Sequence, residues 1–188
     1  MTCRGVSRNR GAEAAGHALV LTGALLLAIT LSACHAAVPD TGQMTRDAHQ
    51  LEGTFPALEA LHVDNFRNQD WCQVLSYAAG SFATSSNPST CVPSEATPTA
   101  FNAKASADFE RVKRALGDTG VSIWAIEGIG YDAAGRLTHA RFDVVAGVSD
   151  AFFYLFDRDN NISKDPNPDT IVTQKINADW WFLSEDWN

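Results

Sequence analysis

The feature that most restricts the fold is a series of five strand-like runs in the second half of the chain. They occupy residues 121–129, 136–145, 151–156, 170–176 and 179–183 and are separated by polar segments. Each run is rich in β-branched and aromatic residues, which favour strands. The segment from Asp132 to Gly135 is typical of a hairpin turn, because its glycine tolerates a left-handed conformation. The pattern predicts an antiparallel meander of four or five strands.

Helical signals precede this meander. Apolar residues at helical spacing predict helices over residues 44–51 and 56–63, and another over 106–117. A further helix is predicted from Asp70 to Gly80. It opens with the spacing of a capping box, and its apolar stripe consists of Trp71, Val74, Leu75 and Ala78.

The intervening residues 81–102 are rich in Ser, Thr, Asn and Pro and predict one long loop. Helices followed by consecutive strands indicate an α+β fold. We therefore expect N-terminal helices that pack on one face of the antiparallel sheet.

The N-terminus has the composition of an export signal. Three arginines, Arg4, Arg8 and Arg10, precede an apolar stretch over residues 18–31. This stretch of 14 residues is shorter than the ~20 that a membrane-spanning helix needs. It ends in Leu31-Ser32-Ala33-Cys34, which resembles the lipobox of bacterial lipoproteins. The resemblance covers residues 1–34 only.

This resemblance implies that residues 1–33 are a signal peptide that is removed, and that Cys34 receives a lipid and becomes the first residue. Residues 34–43 then form a lipidated tether, and residues 44–188 form a single α+β domain. Position 35 is His rather than the Asp that commonly retains such lipoproteins in the inner membrane. We therefore expect a cell-envelope protein on the outer membrane, facing the periplasm. An unlipidated secretory signal and an uncleaved anchor are the alternatives.

The expected mature chain is acidic. Removing residues 1–33 takes away three arginines and one glutamate and leaves 11 basic and 21 acidic residues, a formal charge of −10. Such a charge argues against binding to nucleic acid or to an anionic lipid surface. It favours a basic protein partner, although a role in solubility alone explains it equally well.

Two cysteines, Cys72 and Cys91, remain in the expected mature chain besides Cys34. An even pair in an oxidising compartment is usually a disulfide, and we predict one here. The alternative is a catalytic thiol, but neither cysteine stands beside a histidine.

Adjacent aromatic residues occur in two of the predicted strands, as in Phe152-Phe153 and Trp180-Trp181. Neighbouring side chains on a strand face opposite ways, so these pairs place aromatic groups on both faces of the sheet. Either helices or the long loop cover the second face, or it is a recognition surface. The candidate partner-binding residues are Tyr154, Trp180, Trp181 and Trp187.

The strand over residues 136–145 has a different pattern. If Ala140 and its alternate neighbours point inward, then His139, Arg141 and Asp143 point outward. Such a row suits anion binding or acid–base chemistry, with Glu127 as a further member. An ordinary solvated strand face of mixed charge is the alternative.

Residues Asp157, Asp159, Asn161 and Asp165 resemble the start of a calcium-binding loop. The pattern departs from that loop at Ile162, where glycine is needed, and at Pro168, where a bidentate glutamate belongs. A polar hairpin loop explains these residues as well. We recognise no other metal motif, no nucleophile motif and no cofactor motif, so no cofactor is expected.

These observations together favour a non-enzymatic, lipid-anchored binding protein of the cell envelope. A concrete form is an inhibitor or immunity-type protein that acts on a cell-wall hydrolase. The alternatives are a module that binds glycan or peptidoglycan through tryptophans, a small envelope hydrolase that uses His139, and a structural subunit of the envelope.

Overall fold

The computed structural model describes residues 37–77, 80–84, 91, 99–144, 150–160 and 170–186. The predicted lipidation site Cys34, the candidate Trp187, and the calcium candidates Asn161 and Asp165 lie outside these residues.

Eight strands form one antiparallel sheet. They are β1 (Val63–Gln69), β2 (Cys72–Tyr77), β3 (Gly80–Thr84), β4 (Ile123–Tyr131), β5 (Leu137–Val144), β6 (Asp150–Asp157), β7 (Thr170–Lys175) and β8 (Trp180–Asp186). Their order across the sheet is β3-β2-β1-β4-β5-β6-β8-β7. The pairing of β1 with β4 joins the N-terminal strands to the C-terminal strands. The predicted meander is wrong beyond β6, because β8 lies between β6 and β7.

In the described part of the chain, the α-helices are α1 (Thr41–Leu51), α2 (Phe55–Leu61) and α3 (Ala103–Thr119), and a 3-10 turn over Glu52–Thr54 joins α1 to α2. The side chain of Asp40 accepts a hydrogen bond from the Gln43 amide and caps α1, and Asn102 caps α3 in the same way. No helix in the described part of the chain is long and apolar enough to cross a membrane.

The main core lies between the helices and one face of the sheet. Phe66 and Ile126 on neighbouring strands contribute to it, and helix α3 contributes Phe109 and Val112. Strand β5 adds Ala140, Phe142 and the partly buried Val144, while β6 and β8 contribute a set of aromatic side chains: Phe152, Tyr154, Phe156, Trp180 and Phe182. The three helices thus pack on the same face.

The predicted mixture of helices with an antiparallel sheet is confirmed, but the prediction of four or five strands is wrong. The three additional strands are β1, β2 and β3, and α3 follows them, so the helices are not all N-terminal. Residues 80–84, predicted to lie in a helix end and a loop, form a strand at the edge of the sheet that pairs with β2 and makes one isolated bridge from Phe82 to Thr99.

The helix predicted from Asp70 is wrong. Residues 72–77 form β2, which pairs with β1 through a tight turn at Asp70 and Trp71. A helix was predicted here because the strand is buried on both faces. Leu75 lies in the main core, and Val74 packs on the other face. Two-sided burial removes the polar–apolar alternation that marks a strand.

Smaller differences concern the ends of elements. Helix α1 begins at Thr41, inside the segment predicted as a tether, and Val63 starts a strand rather than ending a helix. Helix α3 begins before Ser106 and continues past Gly117, and it ends at Gly120, where φ is +73°. The predicted hairpin turn ending at Gly135 is confirmed, with φ of +76° at that residue.

The predicted disulfide between Cys72 and Cys91 is confirmed. Both cysteines are buried and pack with Val74 on the sheet face opposite the helices. The bond therefore ties the chain after β3 back to the start of β2.

Replacing both cysteines with alanine is expected to lower the free energy of unfolding by about 3 kcal/mol, because the bond closes a loop of about 20 residues in the unfolded chain. Urea unfolding followed by tryptophan fluorescence measures this loss. The expectation fails if the reduced wild-type protein and the double variant are both as stable as the oxidised wild type.

Candidate binding site on the distal face of the sheet

The sheet face opposite the helices, called the distal face below, carries three neighbouring rows of side chains. Strand pairing places Glu127, Arg141 and Leu155 side by side in the middle row. The row on one side contains Asp143, Phe153 and Leu183, and the row on the other side contains His139 and Asp157. Because alternate side chains of a strand face opposite ways, these residues point away from the main core.

Four charged residues form a continuous network on this face. Arg67 and Arg141 each place an Nη2 atom 2.8 Å from a different carboxylate oxygen of Glu127. Arg141 also donates through Nε to Oδ1 of Asp143 at 2.9 Å. Both oxygens of Glu127 are occupied, and hydrogen bonds between charged groups are short and directional, so the network fixes these side chains.

Asp143 is the most deeply buried member, with 2 % of its surface exposed. Burial raises the pKa of this carboxyl to about 7, although the Arg141 guanidinium acts in the opposite direction. Burial also disfavours the charged form of Arg141, but Asp143 and Glu127 outweigh this effect and raise the pKa of Arg141. Arg141 therefore stays cationic, while Asp143 exchanges a proton near neutral pH.

Aromatic rings support both arginines. The guanidinium carbon of Arg67 lies 5.3 Å from the ring centroid of Trp124, and that of Arg141 lies 4.7 Å from the ring of Phe153. A guanidinium over an aromatic face is attracted by the negative face of the ring. These contacts hold the arginines against the sheet.

A cavity of about 580 Å³ lies beside the network. Its apolar side chains are Phe153, Leu155 and Leu183, which are only 2 %, 6 % and 5 % exposed. Its polar side chains are Glu127, His139, Arg141, Asp157, Asp159 and Glu185. The volume falls within the roughly 300–1,000 Å³ that is usual for small-molecule sites.

A bulge in β4 shapes one wall of this cavity. The register between β4 and β5 shifts between Glu127 and Gly130. Gly128 within the bulge has φ of +59°, and a Cβ atom there would stand 3.7 Å from the imidazole of His139. Glycine is therefore favoured by its left-handed backbone rather than by lack of space.

Negative charge predominates at the site. Four carboxylates and one guanidinium line the cavity, and the network adds one further carboxylate and one further guanidinium. Among the described residues, five carboxylates thus stand beside two guanidiniums. An apolar floor beside a negative wall suits a ligand that carries a positive group on an apolar body.

In the described part of the chain, no group of three or more His, Cys, Asp or Glu side chains is arranged to hold a metal ion. Two of the calcium candidates, Asp157 and Asp159, form the turn after β6, where Oδ1 of Asp157 accepts a hydrogen bond from the Asp159 amide at 3.0 Å. Both also line the cavity. The arrangement of Asn161 and Asp165 lies outside the described residues.

The predicted outward row on β5 is confirmed. His139 and Arg141 line the cavity, Asp143 lies behind Arg141 in the network, and Glu127 joins them from β4. Ala140 on the same strand faces the main core, as the alternation requires.

Two of the predicted partner-binding residues, Tyr154 and Trp180, belong to the main core. Each is 1 % exposed. Oη of Tyr154 donates to Oδ2 of Asp47 at 2.6 Å, and Nε1 of Trp180 donates to Oε1 of Glu52 at 3.1 Å. Both polar atoms are bound by helix α1 or the turn after it, so these side chains are not available to a partner.

Trp181 lies on the distal face, directly across from Leu155. It is partly buried, and the ammonium group of Lys175 lies 4.9 Å from its ring centroid. It packs with Phe153 and Leu183 in a small second cluster. Trp181 is thus the described member of the predicted aromatic patch that lies near the cavity.

The cavity itself is not predicted by the sequence. The pair Phe152-Phe153 places Phe153 on the opposite face from Phe152, but no pattern assigns a role to Leu155, Leu183 or Glu185. The usable signal was the unbroken apolar run of β6 beside the charged alternation of β5. The register between those strands was needed to bring the two patterns together.

Comparison with models of known protein families, with curated proteins and with solved structures finds no significant match. The site geometry therefore carries the functional argument.

Proposed function

We propose that this chain is a lipid-anchored binding protein of the cell envelope and that a basic protein docks on its distal face. The observation that carries the proposal is the cavity, whose described lining holds four carboxylates and one guanidinium beside three apolar side chains. The carboxylates favour a cationic partner over an anionic one.

The partner that fits best is a basic cell-wall hydrolase, which this protein inhibits. Enzymes that act on an anionic cell wall benefit from positive charge, and a formal charge of −10 on the expected mature chain attracts them over distances near the Debye length. A lipid on Cys34 keeps such an inhibitor at the membrane where the wall is attacked.

The alternatives have less support. Four residues were proposed for a glycan-binding platform, and two of them, Tyr154 and Trp180, are core side chains. A hydrolase needs a proton-transfer group that reaches its substrate. His139, the residue that this alternative uses, lines the cavity, but the carboxyl of Asp143 in the same row on β5 is 2 % exposed and bound to Arg141.

The docking proposal is tested by capture of periplasmic and secreted proteins on the immobilised full-length protein at about 0.15 M salt, where the Debye length is only ~8 Å. We expect retention of a basic cell-wall hydrolase and loss of its activity when the purified pair is mixed. Reversing the charge at the cavity with Asp159→Lys should reduce retention at least tenfold.

The matched control is Glu110→Lys, which makes the same charge change at an exposed position of α3, on the other side of the sheet. If both variants reduce retention equally, only overall charge matters and the docking site is wrong. If the wild type retains no envelope hydrolase, the partner class is wrong.

Anchoring has its own test. Cys34→Ala should abolish incorporation of radiolabelled palmitate, because the thiol that receives the lipid is absent. Cys3→Ala, a cysteine before the lipobox, is the control. An unlabelled wild type would refute lipidation.

A further inference from the structure

The expected lipid anchor joins the domain at one corner of the sheet. Residues 34–39 lead from the lipidation site to Asp40, the residue that caps α1. Six residues span at most about 20 Å when fully extended, so α1 begins close to the membrane when Cys34 carries a lipid. At the start of this helix, Nε2 of Gln174 on β7 donates a hydrogen bond to Oγ1 of Thr41 at 3.0 Å. The tether therefore ends where α1 meets the edge strand β7.

This anchor corner, which consists of residues 41–45 and strand β7, differs in charge from the rest of the chain. Its sequence contains one lysine, Lys175, and no acidic residue, whereas the expected mature chain has a formal charge of −10. Thr45, Thr173 and Lys175 are exposed there. Anionic lipid headgroups repel most of such an acidic domain, so the anchor corner is the part that approaches them most easily.

An exposed apolar side chain lies in the tether beside the anchor corner. Val38 is 49 % exposed and stands two residues before Asp40. An apolar side chain so close to the headgroups gains by leaving water for the boundary with the acyl chains. This contact favours the same orientation as the charge does.

We infer that the anchor corner rests on the lipid headgroups and that the β3 edge of the sheet points away from the membrane. The inference rests on the proposed function, because it takes the lipid on Cys34 as given. Strands β7 and β3 are the opposite edges of the sheet, and seven strand spacings of ~4.8 Å separate them by roughly 34 Å. The sheet then stands on its β7 edge, so the distal face does not lie against the bilayer and stays open to a partner.

The test uses the lipidated protein in vesicles of phosphatidylethanolamine and phosphatidylglycerol. The mature protein is expected to have no free thiol, because Cys34 carries the lipid and Cys72 is bonded to Cys91. A cysteine introduced at one site therefore takes a nitroxide label selectively. Thr173→Cys reports on the anchor corner, and Thr99→Cys is the matched control, exposed and bridged to β3 at the other edge. Nickel bound to a chelating lipid headgroup speeds the relaxation of nearby labels.

We expect the relaxation enhancement to be about fivefold larger for Thr173→Cys than for Thr99→Cys, because roughly 34 Å separates the two edges. Thr45→Cys, an exposed position on α1, should match Thr173→Cys and is the second reporter. Lys175→Glu places an acid in the anchor corner and should lower the enhancement at the Thr173→Cys label about twofold. Lys113→Glu, the same change at an exposed position of α3, should leave it unchanged.

Equal enhancement at the two edges, or a larger one for Thr99→Cys, would overturn the inference, because no corner of the domain would then prefer the bilayer. An unchanged enhancement in Lys175→Glu would overturn it as well, since the short tether alone would then hold the label near the membrane. Palmitate incorporation, measured on the same samples, separates these results from the proposed function. Protein that carries palmitate but shows equal enhancements keeps its anchor and refutes only the orientation. Protein without palmitate lacks the anchor on which both proposals depend.

Discussion

Trp180→Ala is expected to lower the free energy of unfolding by about 3–5 kcal/mol, the usual cost of removing a buried large aromatic side chain. Trp181→Ala, one residue along the same strand, is expected to cost only about 1–2 kcal/mol, because its side chain is partly buried in a smaller cluster. The two variants make the same chemical change on opposite faces of β8, so their difference compares how well each face is covered.

The difference follows from what each indole contacts. The ring of Trp180 lies 5.4 Å from that of Phe156 and 5.7 Å from that of Phe142, and it stacks at 6.0 Å on Phe55 of α2. Its Nε1 also donates to Glu52. Removing the indole therefore leaves a cavity between helix and sheet and an acceptor without its donor.

Urea unfolding of the two variants, followed by circular dichroism because a tryptophan has been removed, measures both losses. Trp180→Phe serves as an intermediate, since it keeps part of the ring contact and loses the hydrogen bond. Equal losses for the two alanine variants would mean that both faces of β8 are equally covered, and the distal face would then be no candidate for docking.

Much of the C-terminal half was predictable, for a physical reason. Strands β4 to β8 carry β-branched and aromatic runs separated by clear turn residues such as Gly135, and each run pairs with a neighbour that is close in sequence. Local pattern and long-range pairing agree there. The outward placement of His139, Arg141 and Asp143 followed from alternation on β5 alone.

The N-terminal hairpin was not predictable in the same way. The apolar residues of β2 serve two clusters at once, the main core through Leu75 and the disulfide cluster through Val74. Their spacing also matches a helical stripe, so local pattern favours the wrong element. Pairing of β1 with β4 decides the outcome, and it joins residues about 60 positions apart, such as Phe66 and Ile126.

Only part of the candidate site could be predicted from the sequence, for a related reason. A charged alternation identifies the polar wall on β5, but the apolar floor comes from β6 and β8, where both faces are apolar. Sequence alone leaves open which aromatic of each pair is structural. Helix packing settles that choice in favour of Tyr154 and Trp180, and it leaves Phe153 and Trp181 on the distal face.

The second large effect concerns pH. As pH rises from 4.5 to 7.5, the unfolding free energy of Asp143→Asn is expected to increase by about 3 kcal/mol relative to that of the wild type. Burial raises the pKa of Asp143 to about 7 in the folded protein, against the influence of Arg141, whereas an unfolded aspartate titrates near 3.9. Between these values the folded state holds a proton that the unfolded state releases.

The contribution of Asp143 to stability is fully present below the unfolded pKa, near pH 4, and is lost as pH rises through about 7. Asparagine is neutral throughout and keeps an oxygen that accepts the Arg141 hydrogen bond. The difference between variant and wild type therefore isolates this one carboxyl from all other groups that titrate in the same range.

Asp108→Asn is the control for that measurement. Burial alone would raise the pKa of Asp108, but hydrogen bonds from Lys104 and Tyr77 outweigh it and lower the pKa below its ordinary value. Its contribution is present above the unfolded pKa and is lost only as pH falls below about 4. Chemical unfolding at half-unit steps should therefore give a flat difference from wild type for Asp108→Asn between pH 4.5 and 7.5, and a steep one for Asp143→Asn. A flat difference for both would mean that Asp143 stays ionised against Arg141, so that the distal face keeps its full negative charge even in mild acid.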